Sequence, residues 1–130
     1  MITVPTIIRP SIIHGVGMFT LVDVEAGHEL WKYVPGFDRS YTESEFDALP
    51  ALAQQFVSRH GFLAASGLWI ISGDNDQFVN HSSVCNMVEP AGPPVHPTKS
   101  LVAARDIKAG EELTQDYLEW DQLITTKQLP

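Results

Sequence analysis

Closely spaced turns are what most limits the folds open to this chain. Gly15 and Gly17, residues 23–27, Pro35-Gly36, residues 72–76, the proline-rich run 90–97 and residues 105–110 interrupt its apolar stretches one after another. With 9 glycines and 9 prolines in 130 residues, long regular elements have little room, and short strands joined by tight loops remain.

Residues 3–9 are β-branched and apolar, which predicts a first strand. Gly15-Val16-Gly17 then turns the chain into a second strand that runs to about Leu21. Residues 29–34 alternate, placing Leu30, Lys32 and Val34 on one face and Trp31 and Tyr33 on the other. On that strand alone, Tyr33 reads as a core residue with its hydroxyl at the edge. Residues 68–71, Phe78-Val79, residues 100–104 and the stretch about Leu113 supply further strands, about eight in all. One segment has helical character. Thr42-Glu43-Ser44-Glu45 has the form of a capping box, and Phe46, Leu49, Ala53, Phe56 and Val57 follow near helical spacing. Pro50 divides the segment into two short pieces, and Gly61 closes it as a C-terminal cap. The expectation is a mostly β domain of small curved sheets with one short helical insert, residues 1–130 forming a single unit.

Composition excludes several functions. Eight Lys plus Arg against sixteen Asp plus Glu give a net charge of −8, the wrong sign for gripping a nucleic-acid backbone. Acidity suits a basic protein or peptide partner, and it also simply aids solubility. Cys85 is the single cysteine, so neither an intrachain disulfide nor a cysteine-built zinc site can form. His14, His28, His60, His81 and His96 lack metal-ligand spacing, and no metal is expected. Nothing approaches the ~20 apolar residues of a membrane span, and the N-terminus lacks a secretion signal, so an intracellular, cytoplasmic location is expected (nuclear in a eukaryote).

Residues 77–86 stand out. Asn80, His81, Ser82, Ser83 and Asn86 crowd hydrogen-bonding side chains into one short segment behind Phe78 and Val79. Buried, each would need a partner; exposed, the same residues make an ordinary solvated turn. Both readings stand until a second segment is considered.

That segment is Arg105-Asp106-Ile107, Gly110-Glu111-Glu112-Leu113-Thr114 and Asp116-Tyr117. Together with Phe78-Val79-Asn80-His81-Ser82, Asn86 and the upstream Gly15-Val16-Gly17, it resembles the signatures of SET-domain protein lysine methyltransferases, in the family's order. The resemblance implies a SET-like β-clip fold, with small sheets around a C-terminal pseudoknot, a core of about residues 5–118 and a short post-SET tail 118–130. It implies S-adenosylmethionine as cofactor, with S-adenosylhomocysteine as product and no metal. Gly15, Val16, Gly17, Asn80, His81 and Tyr117 would bind that cofactor, and Trp120 would cover its adenine. Tyr117 and Tyr33 would be the catalytic tyrosines, and Tyr33, Phe78, Gln115 and Tyr117 would line the channel for the substrate lysine. The implied substrate is a Lys-containing basic protein: histone, histone-like, ribosomal or translational.

The chemistry suits such residues. Methyl transfer to an amine needs alignment and a neutral nitrogen more than a side-chain nucleophile. An aromatic tube that desolvates the amine favours its neutral form. The chain departs from the family at Gln77 (usually Arg), Ser83 (usually Cys), Cys85 (usually Pro) and Gln115 (often Phe or Tyr). These departures keep open a second reading, a SET-like module that binds peptide or cofactor and turns over poorly. A homodimer seated on Trp31 or Trp120 would complete a substrate groove.

Overall fold

Among the described residues of a computed structural model (residues 1–120, without the side chains of Glu119 and Trp120), ten short strands and three short helices form. β1 (Thr6–Pro10) and β2 (Val16–Thr20) make an antiparallel hairpin. Its turn is closed by the Ser11 amide donating to the Gly15 carbonyl at 2.9 Å, with Gly15 at φ +47°, a conformation that favours glycine.

β3 (Glu29–Trp31) stops three residues short of the expected strand. Its pairing shifts register between Glu29 and Trp31, and both Leu30 and Trp31 are buried, at 0% and 3% exposure. A bulge of this kind breaks alternation, so faces assigned by period two fail here. Trp31 lies in the core with its indole N–H on Ser72 Oγ at 2.9 Å. It is therefore no surface for a dimer, contrary to expectation.

The helical insert has its two pieces, α1 (Glu43–Asp47) and α2 (Ala51–His60). Thr42 Oγ1 accepts from the Glu45 amide and Glu45 Oε1 from the Thr42 amide, the reciprocal pair of a capping box. Pro50 stands at the N-cap of α2, where its missing N–H costs nothing. Gly61 does cap α2, but in an extended conformation, φ −100°. Crowding is what demands glycine there: a Cβ would sit 2.2 Å from the Ile70 carbonyl oxygen. Both helices lie against a three-stranded sheet, ordered β4 (Arg39–Tyr41), β6 (Trp69–Ile71), β5 (Phe62–Leu63), with Phe46 stacked on Trp69 at 4.2 Å.

The central sheet explains the rest. Its order is β3, β9 (Leu101–Ala103), β8 (Met87–Val88), β10 (Thr114–Gln115), β7 (Asn80–His81). β10 lies between β7 and β8 and parallel to both, although those two strands are joined only by residues 82–86. Strands that skip a neighbour are roughly 10 Å apart. The short connection therefore arches over a strand that arrives nearly thirty residues later. Asn86 secures the crossing: its Nδ2 donates to the Glu112 carbonyl at 2.8 Å and its Oδ1 accepts from the Thr114 amide at 2.9 Å. Beneath lie Met18, Leu30, Val79, Met87, Ile107 and Leu113, each 1% exposed or less.

Two further corrections belong here. The chain enters Asn80 from a 3-10 turn, Asn75–Phe78, and not from a strand through Phe78. α3 (Tyr117–Trp120) was not foreseen.

Candidate active site

The 3-10 turn is capped by Asp74, whose carboxylate accepts from the Asp76 amide at 3.2 Å. Its last bond, Val79 amide to Asp76 carbonyl, delivers the chain into β7 with Asn80 buried at 5% exposure. Asn80 Nδ2 faces four oxygens: Glu112 Oε2 at 2.9 Å, the His14 and Val16 carbonyls at 3.1 Å each, and Ser11 Oγ at 3.2 Å. Two carbonyls and a carboxylate only accept, so the amide can be turned only one way. Among the described residues no donor reaches its other end, Oδ1. A buried acceptor without a partner is costly unless something else supplies a proton. The solvated-turn reading therefore fails for Asn80, and equally for Asn86, which is 4% exposed and bonded at both ends of its amide.

His81 follows. Its Nδ1 accepts from the Tyr117 amide at 3.1 Å, which leaves the ring proton on Nε2. Asp116 Oδ1 is 3.7 Å from the same nitrogen, and the His81 and Tyr117 rings lie 5.4 Å apart. The Tyr117 hydroxyl donates to the Val79 carbonyl at 2.5 Å. Residues near 16, 80 and 117 thus meet in one place. Gln115 is buried beside them, paired in register with His81 and Met87, and Phe78 is half-buried at the end of the 3-10 turn.

Tyr33 meets Ser40 Oγ through its hydroxyl at 3.2 Å, and no hydrogen bond or ring contact joins it to Tyr117. With Glu29, Lys32 and the loop from Pro90 to Ser100 it lines a cavity of about 420 Å³. Lys99 braces that loop through the Pro90 and Gly92 carbonyls, at 3.1 and 2.7 Å. The role expected of Trp120 rests on a side chain outside the described residues. Gln77 and Ser83 are exposed, so their departure from the family pattern leaves no buried group unpaired.

Two residues of this cluster were given no role from the sequence: Ser11, and Glu112, which entered only as a letter of the family signature. The Glu112 carboxylate accepts from Ser11 Oγ at 2.8 and 3.0 Å as well as from Asn80. It also lies over Gly17, where a Cβ would come 2.3 Å from Oε2. The signal was present: a glycine inside a strand marks a close approach, and Gly17 is the second residue of β2. Among the described residues, no group of three or more His, Cys, Asp or Glu could hold a metal ion.

Comparison with known proteins places this geometry. The model of the SET domain family matches residues 15–118. No curated protein matches the chain. Among solved structures, a humanized mutant of the Chaetomium thermophilum Polycomb Repressive Complex 2, bound to an inhibitor, superposes with a TM-score of 0.65 at 22% identity over 95% of this chain. An apo form of that complex, with two mutations in Ezh2, gives 0.67 at 22% identity over 95%. This chain spans 16% of the length of either. A Plasmodium falciparum protein described as a histone methyltransferase gives 0.60 at 16% identity, over 89% of this chain and 95% of that one. At such identities the likeness establishes the fold.

Proposed function

The chain belongs to the SET-domain family, and from that premise we propose that it is an S-adenosylmethionine-dependent protein lysine N-methyltransferase. The observation that carries the reading is the meeting of the Val16 carbonyl, the buried Asn80 amide with its unmatched Oδ1, and the Tyr117 phenol. That unmatched acceptor suits an ammonium, such as the one at the methionine end of the cofactor. Asn80 and His81, with the backbone of Gly15, Val16 and Gly17, would hold the cofactor. Their crossing with β10 supports a reading as the pseudoknot that the family resemblance implies.

When bound, S-adenosylmethionine supplies a methyl group on a sulfonium sulfur. The work left to the protein is alignment and desolvation. Tyr117, fixed by His81 at its amide and Val79 at its hydroxyl, presents a rigid phenol to the substrate side. Gln115 and Phe78 would pack beside it, with Tyr33 further along the substrate's path. A lysine ε-amine held among such rings loses water and with it the advantage of its charge. The channel residues would hold its lone pair toward the methyl group that the bound cofactor would supply, and the surplus proton would leave to solvent. The net charge of −8 favours a basic substrate. The structural neighbour described as a histone methyltransferase makes histone-like tails a natural first choice, beside ribosomal and translational proteins.

Labelled S-adenosylmethionine and a panel of Lys-rich proteins test this directly. Label transferred to lysine supports the proposal. The engagement of the Tyr33 hydroxyl with Ser40 Oγ favours one competitor, a module that binds without turnover. Cofactor binding with no transfer to any protein selects that competitor, and no binding at all rejects both.

A further inference from the structure

We infer that Glu112 is a positioning residue, setting the Ser11–Gly17 turn and the Asn80 amide for the cofactor; the assignment rests on the functional reading above. Three residues, Ser11 and Gly17 of the hairpin and Asn80 of β7, converge on its carboxylate. Ser11 Oγ reaches both oxygens at 2.8 and 3.0 Å, Asn80 Nδ2 reaches Oε2 at 2.9 Å, and the Cα of Gly17 lies directly beneath. Ser11 has one hydroxyl proton, which goes to the carboxylate. Its lone pairs then accept from the Ile13 amide at 2.9 Å and from Asn80 Nδ2 at 3.2 Å. The turn is thereby tied to Glu112 through a chain of bonds, each with a fixed direction.

Among the described residues, no Lys, Arg or His lies within ion-pair distance of Glu112. Neutral donors alone meet its charge, and hydrogen bonds to a charged acceptor are the stronger kind. Its own backbone is anchored as well, through the carbonyl that Asn86 Nδ2 grips at the strand crossing. The carboxylate therefore holds Asn80 with Nδ2 inward. Oδ1, the atom left for the cofactor, is oriented by Glu112 although Glu112 itself need not touch the ligand.

Calorimetric titration with S-adenosylmethionine, and steady-state kinetics on the best lysine substrate, test this. Glu112→Gln keeps size but offers one acceptor oxygen where two are used. It is expected to raise Kd and KM for the cofactor about tenfold, the loss of one charged hydrogen bond. kcat and KM for the protein substrate should change little. Ser11→Ala, milder for folding, should shift the same constants in the same direction. Gly17→Ala should weaken binding strongly in the wild-type background and much less beside Glu112→Ser, where the clash is gone. Wild-type cofactor affinity in Glu112→Gln and Ser11→Ala, or additive effects of Gly17→Ala and Glu112→Ser, overturns the assignment while leaving the methyltransferase reading intact. A wild-type protein that binds no S-adenosylmethionine overturns both.

Discussion

The Tyr117 hydroxyl gives its proton to a carbonyl that belongs to a nearly fully buried residue, Val79, 1% exposed. Removing it in Tyr117→Phe leaves that carbonyl short of a partner, so a loss of about 1–3 kcal/mol in stability is expected. Methyl transfer should fall further, by roughly 10²-fold or more, because a preorganised polar group beside the reacting nitrogen disappears. Cofactor affinity should stay nearly unchanged, since the Tyr117 amide still holds His81. Titration calorimetry beside single-turnover transfer separates the effects, and equal transfer rates would remove Tyr117 from the mechanism. At this scale the sequence was legible where a residue type is odd for its setting. Asn80 and His81 announce themselves as polar residues directly behind Phe78-Val79, and Tyr117 only through the family signature that it ends. Glu112 does not, because it ends a charged turn, Lys108 to Glu112, that reads as solvated surface. Only the folded chain lays its carboxylate over Gly17.

Elements were legible in proportion to how much of their stabilisation is local. α1 and α2 carry their own start signals in the Thr42–Glu45 box and Pro50, and both formed where expected. β5, β7, β8 and β10 have two residues each, too few to show a period, and exist because distant partners pair with them. Gly61 tests how α2 meets the sheet. In Gly61→Ala the new methyl meets the Ile70 carbonyl at 2.2 Å, and overpacking of that kind costs about 1–3 kcal/mol. A thermal melt should register the loss, with cofactor affinity untouched. The 3-10 turn before β7 makes a pH prediction. Burial pushes the Asp76 carboxyl from its ordinary 3.8 up to about 7, opposed by a hydrogen bond from Ser72 and by the Met1 amine and aided by the Asp74 and Asp38 carboxylates. Between those two values the folded protein holds a proton that the unfolded chain has released. Stability therefore falls as pH rises from about 4 to 7 and levels off above. Asp76→Asn removes this dependence. Its melting temperature should exceed that of the wild type at pH 8 and approach it near pH 4, and a constant difference across that range would refute the assignment.

The molecule as a whole depends on its strand crossing, which no local pattern announces. β10 can enter the sheet only once β7, the arch of residues 82–86 and β8 are in place, or must form with them. The family resemblance led to the expectation of such a crossing; hydrophobic periodicity did not. Asn86 is where the crossing can be probed with least disturbance elsewhere. Its side chain behaves as an extra peptide unit, donating to the Glu112 carbonyl and accepting from the Thr114 amide, while its backbone N–H meets Thr114 Oγ1 at 3.2 Å. Asn86→Ala strands one buried donor and one buried acceptor, for which a loss of about 2–5 kcal/mol is expected. Asn86→Asp keeps the acceptor but puts a carboxylate against the Glu112 carbonyl, two groups that only accept, so it should be no better at neutral pH. Protonated, that aspartate regains a donor. Its deficit relative to wild type should therefore shrink as pH falls through the carboxylate range, whereas the alanine deficit should not. Melts of both variants from pH 4 to 8 settle the matter, since parallel curves would mean that the crossing is held by packing alone. Because the Glu112 backbone is one of the two groups released, both variants should also weaken S-adenosylmethionine binding while still folded. A change at residue 86 then reaches Asn80 and Gly17 through the chain that runs between its two strands.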